Sequence, residues 1–209
     1  MEVVTLIADI VNSKEIQNRA NFQKELKNKL DAISKGKAVL SPYTITLGDE
    51  FQAIYKNTND VLNDVLDIIL YLYPIRLRVS IGIGDLNTEV NTESSIGMDG
   101  PVFHIARNGI EELKKLETTI IQIYDFNTDI DLELINKGLS LAMSEINNWK
   151  LNTFKIFTGL LHNKKINDIY PEIHISQRGV YKLIQTNNVE AYVDFFRVLN
   201  KKLNIRYSI

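Results

Sequence analysis

The stretch VVTLIADI, residues 3–10, decides the fold of the front part of this chain. A short apolar run rich in β-branched residues is typical of a strand that is buried on both faces. The run ends in Asp9 and Ile10, so the strand brings a carboxylate to its carboxyl end. Such a strand needs neighbouring strands and covering helices to bury its surface, and the segments that follow supply both.

Strand and helix patterns alternate after this stretch. Strands are predicted at 39–47, 51–55, 77–83 and 118–124, and helices at 22–33, 60–72 and 102–113, with Ser13 as an N-cap upstream of the first helix. The order β-α-β-β-α-β-α-β contains the split plait of ferredoxin-like domains. We therefore predict an α/β fold of the α+β class, with the helices on one face of a layered sheet.

Beyond residue 127 the patterns are helical only. Helices are predicted at 131–143, 149–161, 165–173, 176–185 and 189–203, so we divide the chain into an α/β domain, 1–127, and a small all-helical domain, 128–209. Residues 165–186 have the apolar spacing of a helix-turn-helix, with Ser176 as the N-cap of the second helix. The polar side of that helix would offer DNA five side chains: Gln177, Arg178, Tyr181, Lys182 and Gln185.

Three residues depart from the usual helix-turn-helix pattern. Tyr170 stands where a small residue is usual, His174 stands where the turn usually has glycine, and Pro171 removes a backbone donor within the first helix. A helical hairpin that packs against a partner would have the same periodicity. DNA binding and helix packing therefore both remain open.

Charge is divided unevenly along the chain. Residues 1–148 carry 14 Lys and Arg against 22 Asp and Glu, a net charge of −8, whereas residues 149–209 carry 10 against 4, a net charge of +6. The basic tail suits an anionic polymer such as DNA, and the front part would repel one. The absence of cysteine excludes disulfides and thiolate zinc sites. The longest apolar run, residues 68–73, is too short to span a membrane, so we expect a soluble, cytoplasmic protein.

Two aspartates follow from the strand pattern as candidate metal ligands. Asp9 ends the first strand and Asp49 lies in the turn between the second and third, so pairing of these strands, about 4.8 Å apart, would bring the carboxylates together. Carboxylates that close repel each other unless a cation lies between them, and Mg²⁺ or Mn²⁺ prefers such oxygen ligands. Glu50 and the backbone carbonyl of Ile10 are possible auxiliary ligands. Alternatively, Asp9 caps the first helix and Asp49 is a turn residue.

Four segments carry a resemblance to known families. IADIVNS (7–13), ITLGDEFQA (45–53), LRVSIGIG (77–84) and DGPVFHIAR (99–107) occur in the order of the signature blocks of class III nucleotidyl cyclases. The turn LGDEF (47–51) also resembles the GGDEF signature of diguanylate cyclases. With its helical C-terminal part, the whole layout resembles the SatD family of bacterial proteins.

The resemblance implies a nucleotidyl-cyclase-type palm with a defined site. Asp9 and Asp49 would bind two metal ions together with the Ile10 carbonyl, and Arg107 would approach the triphosphate as a catalytic group if the protein is active. Ser13 and Gly48 become candidates for contact with a nucleotide or its phosphates. Because class III cyclases work at dimer interfaces, the resemblance also suggests a homodimer.

The chain departs from the cyclases at three positions. Phe103 stands where they carry the asparagine that orients the ribose, and Ile45 where adenylyl cyclases carry the lysine that selects adenine. Leu47 replaces a glycine of diguanylate cyclases and should obstruct the approach of the backbone to the base. The metal ligands thus match while the base-reading and ribose-orienting residues do not, so binding is expected more than efficient cyclisation.

Three functions fit these observations. The first is a bacterial regulatory protein in which a metal- and nucleotide-binding palm is coupled to a DNA-binding helix-turn-helix. The second is an active metal-dependent nucleotidyl cyclase or related nucleotidyltransferase. The third is a degenerate palm that acts only in protein assembly.

Overall fold

Five strands form one mixed sheet in a computed structural model of the chain, which describes residues 1–46 and 48–207. The sheet order is β2-β3-β1-β4-β5; the first four strands pair antiparallel, and β5 runs parallel to β4. This is the ferredoxin-like plait with one strand added at its edge, as the sequence predicts. The strands are β1 (Glu2–Ile10), β2 (Val39–Ile45), β3 (Glu50–Tyr55), β4 (Leu77–Asp85) and β5 (Ile120–Asp125).

Eight α-helices accompany the sheet within the described residues, three between its strands and five after them. The first three are α1 (Arg19–Ile33), α2 (Val61–Leu72) and α3 (Pro101–Leu113). The other five are α4 (Ile130–Ile146), α5 (Leu151–Leu161), α6 (Ile166–Glu172), α7 (Gln177–Thr186) and α8 (Val189–Arg206). Each predicted helix is present, with ends that differ by a few residues, and the α+β fold class is confirmed.

The helices cover both faces of the sheet, which differs from the one-sided arrangement expected from the sequence. Even-numbered side chains of β1, such as Leu6 and Ala8, pack in the large core with α1 and α2. Odd-numbered side chains lie on the other face, where Ile7 packs against Ala106 and Ile110 of α3. Because successive side chains of a strand point to opposite faces, Asp9 lies on the α3 side of the sheet.

Gly82 lets α3 approach β4 closely. A Cβ atom at Gly82 would lie 2.9 Å from the Ala106 Cβ and 2.9 Å from the Val102 carbonyl oxygen, shorter than side-chain contacts normally allow. Gly84, two residues further along the same face, would meet its nearest atom, Ile105 Cδ1, at an ordinary 3.6 Å. The close approach at Gly82 sets how far the side chains of α3 lie from the sheet.

Helix α4 covers the edge of the sheet at β5. The Asn136 side chain donates to the carbonyl of Ile123 at 2.7 Å and accepts from its N–H at 2.8 Å, as a neighbouring strand would. Asn147 adds a bond to the carbonyl of Thr119 at 2.8 Å. Covering an edge in this way satisfies polar backbone groups that could otherwise pair with another chain.

The hydrophobic core continues across the predicted boundary at residue 127. One cluster of buried side chains includes Leu66 of α2, Phe157 of α5 and Phe196 of α8. Polar contacts add to it, because Thr58 donates to Asn204 at 2.7 Å and Asn200 to Asn63 at 3.1 Å. The C-terminal helices therefore pack on the palm, and the division at 127 and 128 stays a prediction.

Candidate functional site

Three charged side chains stand in a row across the sheet where β1 ends and β4 begins. In the strand register Asp9 lies opposite Glu50 of β3 on one side and Arg78 of β4 on the other. Paired residues of neighbouring strands point to the same face, so all three face α3. Each is buried, and Glu50 is 1% exposed.

Asp9 forms a buried ion pair. Its Oδ2 accepts from Arg78 Nη1 at 2.6 Å, and Arg78 Nε also donates to the Leu116 carbonyl at 2.5 Å. Burial raises the pKa of Asp9; the hydrogen bond and charge of Arg78 and the charge of Lys114 oppose this rise, while the charge of Asp49 adds to it. The cationic side chains of Arg78 and Lys114 therefore stabilise the charged form of Asp9, whereas the nearby charge of Asp49 destabilises it.

The turn that carries Asp49 is attached to the end of β1. The Asp49 carbonyl accepts from the Ile10 N–H at 3.0 Å, and the Ser13 hydroxyl donates to Asp49 Oδ2. Gly48 has a positive φ of 82°, which glycine adopts without strain, and its carbonyl accepts from Gln23 at 2.8 Å. The two chain-distant segments predicted to meet are thus joined by backbone and side-chain hydrogen bonds.

Glu50 connects the sheet to α3. Its Oε1 accepts from Arg107 Nη1 at 2.5 Å and from the Thr46 hydroxyl at 3.2 Å. Its Oε2 lies 3.7 Å from Lys114 Nζ and is buried without a hydrogen-bond partner in the described part of the chain. A hydrogen bond to Glu111 raises the pKa of Lys114, and the charges of Glu50 and Asp9 act in the same direction.

The site therefore brings acidic and basic side chains together. The acids are Asp9, Asp49 and Glu50, and the bases are Arg78, Arg107 and Lys114. Arg107 lies on α3 and Lys114, seven residues later, is its C-cap in helical conformation, which places both on one side of the helix. The sequence did not indicate Arg78 or Lys114 as members. Arg78 could have been found because it is a charged residue within the otherwise apolar strand predicted at 77–83, where a buried charge needs a partner.

The donor atoms suit a hard cation, although Asp9, Asp49 and Glu50 each already have a hydrogen-bond partner within the protein. Carboxylate oxygens and the Ile10 carbonyl are ligand types that Mg²⁺ and Mn²⁺ prefer. The partnerless Oε2 of Glu50 is an orphaned acceptor of the kind that a cation or a bound ligand can satisfy. Within the described ranges, no three His, Cys, Asp or Glu side chains are arranged as a ready metal cluster. A cation at Asp9 would have to compete with Arg78.

Two residues that depart from the cyclase pattern pack in hydrophobic clusters. Phe103 packs against a small cluster with Val3 and Val102, and Ile45 packs against the main core. Leu47, which was expected to obstruct a nucleotide base, lies outside the described residues. Ser13 does not cap α1 as predicted, because it begins a short 3-10 helix and α1 starts only after Asn18.

A second candidate surface lies on α7. Its buried side includes Val180 and Ile184, and Ser176 caps its start by accepting from the Gly179 N–H at 3.1 Å. His174 has a positive φ of 56° in the turn between α6 and α7, and Pro171 lies in the last turn of α6. The five side chains predicted to contact DNA are all exposed: Gln177, Arg178, Tyr181, Lys182 and Gln185.

No helix among the described residues is both long enough and apolar enough to cross a bilayer.

Comparisons with known proteins place the chain in a family. A solved structure of a bacterial light-regulated adenylyl cyclase is similar over 59% of this chain and 43% of its own, at 17% identity and a TM-score of 0.43. The chain thus spans less than half the length of that neighbour. No curated protein matches the sequence. The family model described as "SatD family" matches residues 3–192, which is most of the chain. The chain belongs to the SatD family.

Proposed function

We propose that the palm binds a divalent cation, Mg²⁺ or Mn²⁺, together with a nucleoside triphosphate or a related phosphate ligand. The observation that carries this proposal is the convergence of three carboxylates and three cationic side chains where β1 ends and β3 and β4 begin. Asp9, Asp49 and Glu50 would face the cation. When bound, the cation would supply charge neutralisation and a Lewis acid at the phosphate oxygens.

Charge balance explains why a metal and a phosphate should bind together. Arg107 now pairs with Glu50 and Arg78 with Asp9, while Lys114 lies 3.7 Å from Glu50 and 2.6 Å from Glu111. A metal-triphosphate complex offers a cation to the carboxylates and anionic oxygens to the arginine and lysine side chains, so every charge keeps a partner. Either component alone would leave buried charges unpaired. We therefore expect strong coupling between metal and phosphate binding.

The test is thermal unfolding with Mn²⁺ alone, tripolyphosphate alone, both together, and Mn²⁺ with each of several nucleoside triphosphates. A ligand at 100 times its dissociation constant should stabilise the protein by about 2.7 kcal/mol. We expect a shift mainly when both components are present, and we expect Asp49→Asn to abolish it. Asp85→Asn, at the opposite end of β4, is the matched control and should keep the shift. An unchanged midpoint under all conditions would refute the proposal.

The same experiment distinguishes the other two functions of the palm. Pyrophosphate or a cyclic product in the tubes would identify an active cyclase or nucleotidyltransferase, with Arg107 as the catalytic residue. The pairing of Asp9 with Arg78 and of Glu50 with Arg107 favours the degenerate palm. In that case the ion pairs are permanent, and neither metal nor phosphate changes the midpoint.

For the C-terminal helices we propose contact with DNA through α7. The protein would then be a regulator, in which a ligand bound to the palm changes the fraction of molecules in the conformation that binds DNA. The exposed amide, guanidinium and ammonium groups of α7 and the net charge of +6 over residues 149–209 support this. Arg178→Ala and Lys182→Ala should weaken a salt-sensitive complex, whereas Lys150→Ala, an exposed lysine away from α7, should have a smaller effect. No complex at low salt would exclude this role.

A further inference from the structure

Helices α4 and α8 carry an apolar surface on the outside of the protein. Five aliphatic side chains on them are each between 67% and 77% exposed, more than any other large hydrophobic side chain in the described part of the chain. Contiguous apolar surface of this kind usually marks a contact with another molecule. The five are Ile130, Leu134 and Leu141 on α4, and Val198 and Ile205 on α8.

These side chains form two parallel stripes. Ile130, Leu134 and Leu141 are spaced by four and seven residues, and Val198 and Ile205 by seven, so each set lies along one side of its helix. The opposite sides face the core through buried residues such as Leu139 and Leu199. The stripes therefore point away from the domain.

The two helices lie side by side and antiparallel, which joins the stripes into one face. Lys202 donates to Asp131 at 2.6 Å and Arg206 to Asp129 at 2.8 Å, which pairs the start of α4 with the end of α8. Further along, a Cβ at Gly138 would lie 3.1 Å from the ring of Phe195. We call this two-helix surface, with the five aliphatic side chains at its centre, the α4/α8 face.

We propose that the α4/α8 face binds a second copy of the chain, forming a twofold four-helix interface. A twofold axis parallel to the helices lays α4 of one copy antiparallel on α8 of the other, with the aliphatic stripes in contact. Rotation about this axis does not shift residues along the helices. Residues of α4 and α8 that are level within one chain, such as Asp131 and Lys202, are therefore also level between the two copies. About 800 Å² per partner is the usual size of a stable interface, and two helices of 17 and 18 residues can supply much of it.

Charge complementarity argues for a second copy in this orientation. Across the twofold, Glu133 of α4 lies level with Lys201 of the opposing α8, and Lys137 lies level with Asp194. Glu133, Lys137 and Lys201 make no ion pair within the described part of one chain, and Asp194 has only a contact with Arg197 at 4.0 Å. Opposite charges would thus border the apolar centre on both sides, as in the rim of a typical interface.

The test is sedimentation velocity over a range of micromolar concentrations. We expect a dimer that the double variant Leu134→Glu with Val198→Glu dissociates, raising Kd at least about 100-fold because four buried charges would face each other. Ile96→Glu, at an exposed apolar residue in the loop before α3, is the control and should leave the dimer intact. A protein that is monomeric at every concentration, or a dimer that survives the double variant, would overturn the proposal.

A charge exchange tests the orientation without disturbing the core. Glu133→Lys alone and Lys201→Glu alone each create like-charge contacts at two symmetric places, so each should raise Kd about tenfold. The two substitutions in one chain restore opposite charges and should recover most of the wild-type affinity. If the double exchange binds no better than the single ones, α4 does not lie on α8 of the second copy and the proposed pairing is wrong.

Discussion

Replacing Gly82 by alanine should weaken the contact between α3 and the sheet. The new methyl group would lie 2.9 Å from the Ala106 Cβ and from the Val102 carbonyl oxygen, so the helix must shift away from β4. Overpacking of this kind costs about 1–3 kcal/mol. Alanine has fewer conformations than glycine in the unfolded chain, which stabilises the folded state by about 0.4–1 kcal/mol and offsets part of this cost. The net expectation is a destabilisation of about 1–2 kcal/mol by these two terms.

Urea unfolding measures this loss, and Gly84→Ala provides the matched control. Gly84 lies on the same strand and the same face, but its methyl group would meet Ile105 at an ordinary 3.6 Å. The control should therefore be neutral or slightly stabilising. Equal free energies of unfolding for the two variants would refute the idea that the close approach at Gly82 sets the position of α3.

Three further predictions concern polar groups that are buried or partly buried. Burial raises the pKa of Asp64 to about 6, so the folded protein binds a proton at Asp64 more tightly than the unfolded chain does. This proton binding stabilises the folded state by up to about 3 kcal/mol, and the stabilisation is lost as pH rises from about 4 through 6. Asp64→Asn, which stays neutral, should match the wild type in thermal unfolding at pH near 4 and exceed it at pH 7; equal behaviour at both would contradict the shift. Asn136→Ala removes both bonds to Ile123 and should lower the free energy of unfolding by about 1–3 kcal/mol, with faster hydrogen exchange at β5; unchanged exchange there would argue against edge protection. Arg78→Met leaves Asp9 buried without its partner and should cost about 3–5 kcal/mol in urea unfolding, and Asp9→Asn added to it should recover part of this; no recovery would mean that the ion pair is not the cause.

The order of the elements could be predicted because the spacing of apolar residues differs between strands and helices. The apolar run at 3–10 gave the central strand, and the pairing of that strand with the turn before β3 followed from strand spacing. The structure pairs β1 with β3 and also joins the Ile10 N–H to the Asp49 carbonyl, a contact that the sequence did not predict. Whether the carboxylates there hold a cation is a separate matter that the pattern alone does not decide.

The ion partners of the site could not be predicted, because they depend on register and on the face that α3 covers. Arg78 lies opposite Asp9 only when β4 pairs with β1 in the observed register. Lys114 reaches Glu50 because α3 packs on the face of the sheet opposite α1 and α2. Helical periodicity shows which side of a helix is buried, but it does not show which face of the sheet that side contacts.

Competition between Arg78 and a cation for Asp9 is the central physical question, and Mn²⁺ binding measured by electron paramagnetic resonance addresses it directly. Free Mn²⁺ gives a sharp signal that is lost when the ion binds to protein. Because tripolyphosphate itself binds Mn²⁺, the ions bound to protein are counted by separating protein from free ligand before the measurement. We expect weak retention of Mn²⁺ alone, strong retention with tripolyphosphate, and loss of retention in Asp49→Asn. Equal retention by the wild type and Asp49→Asn, or none in either, would contradict it.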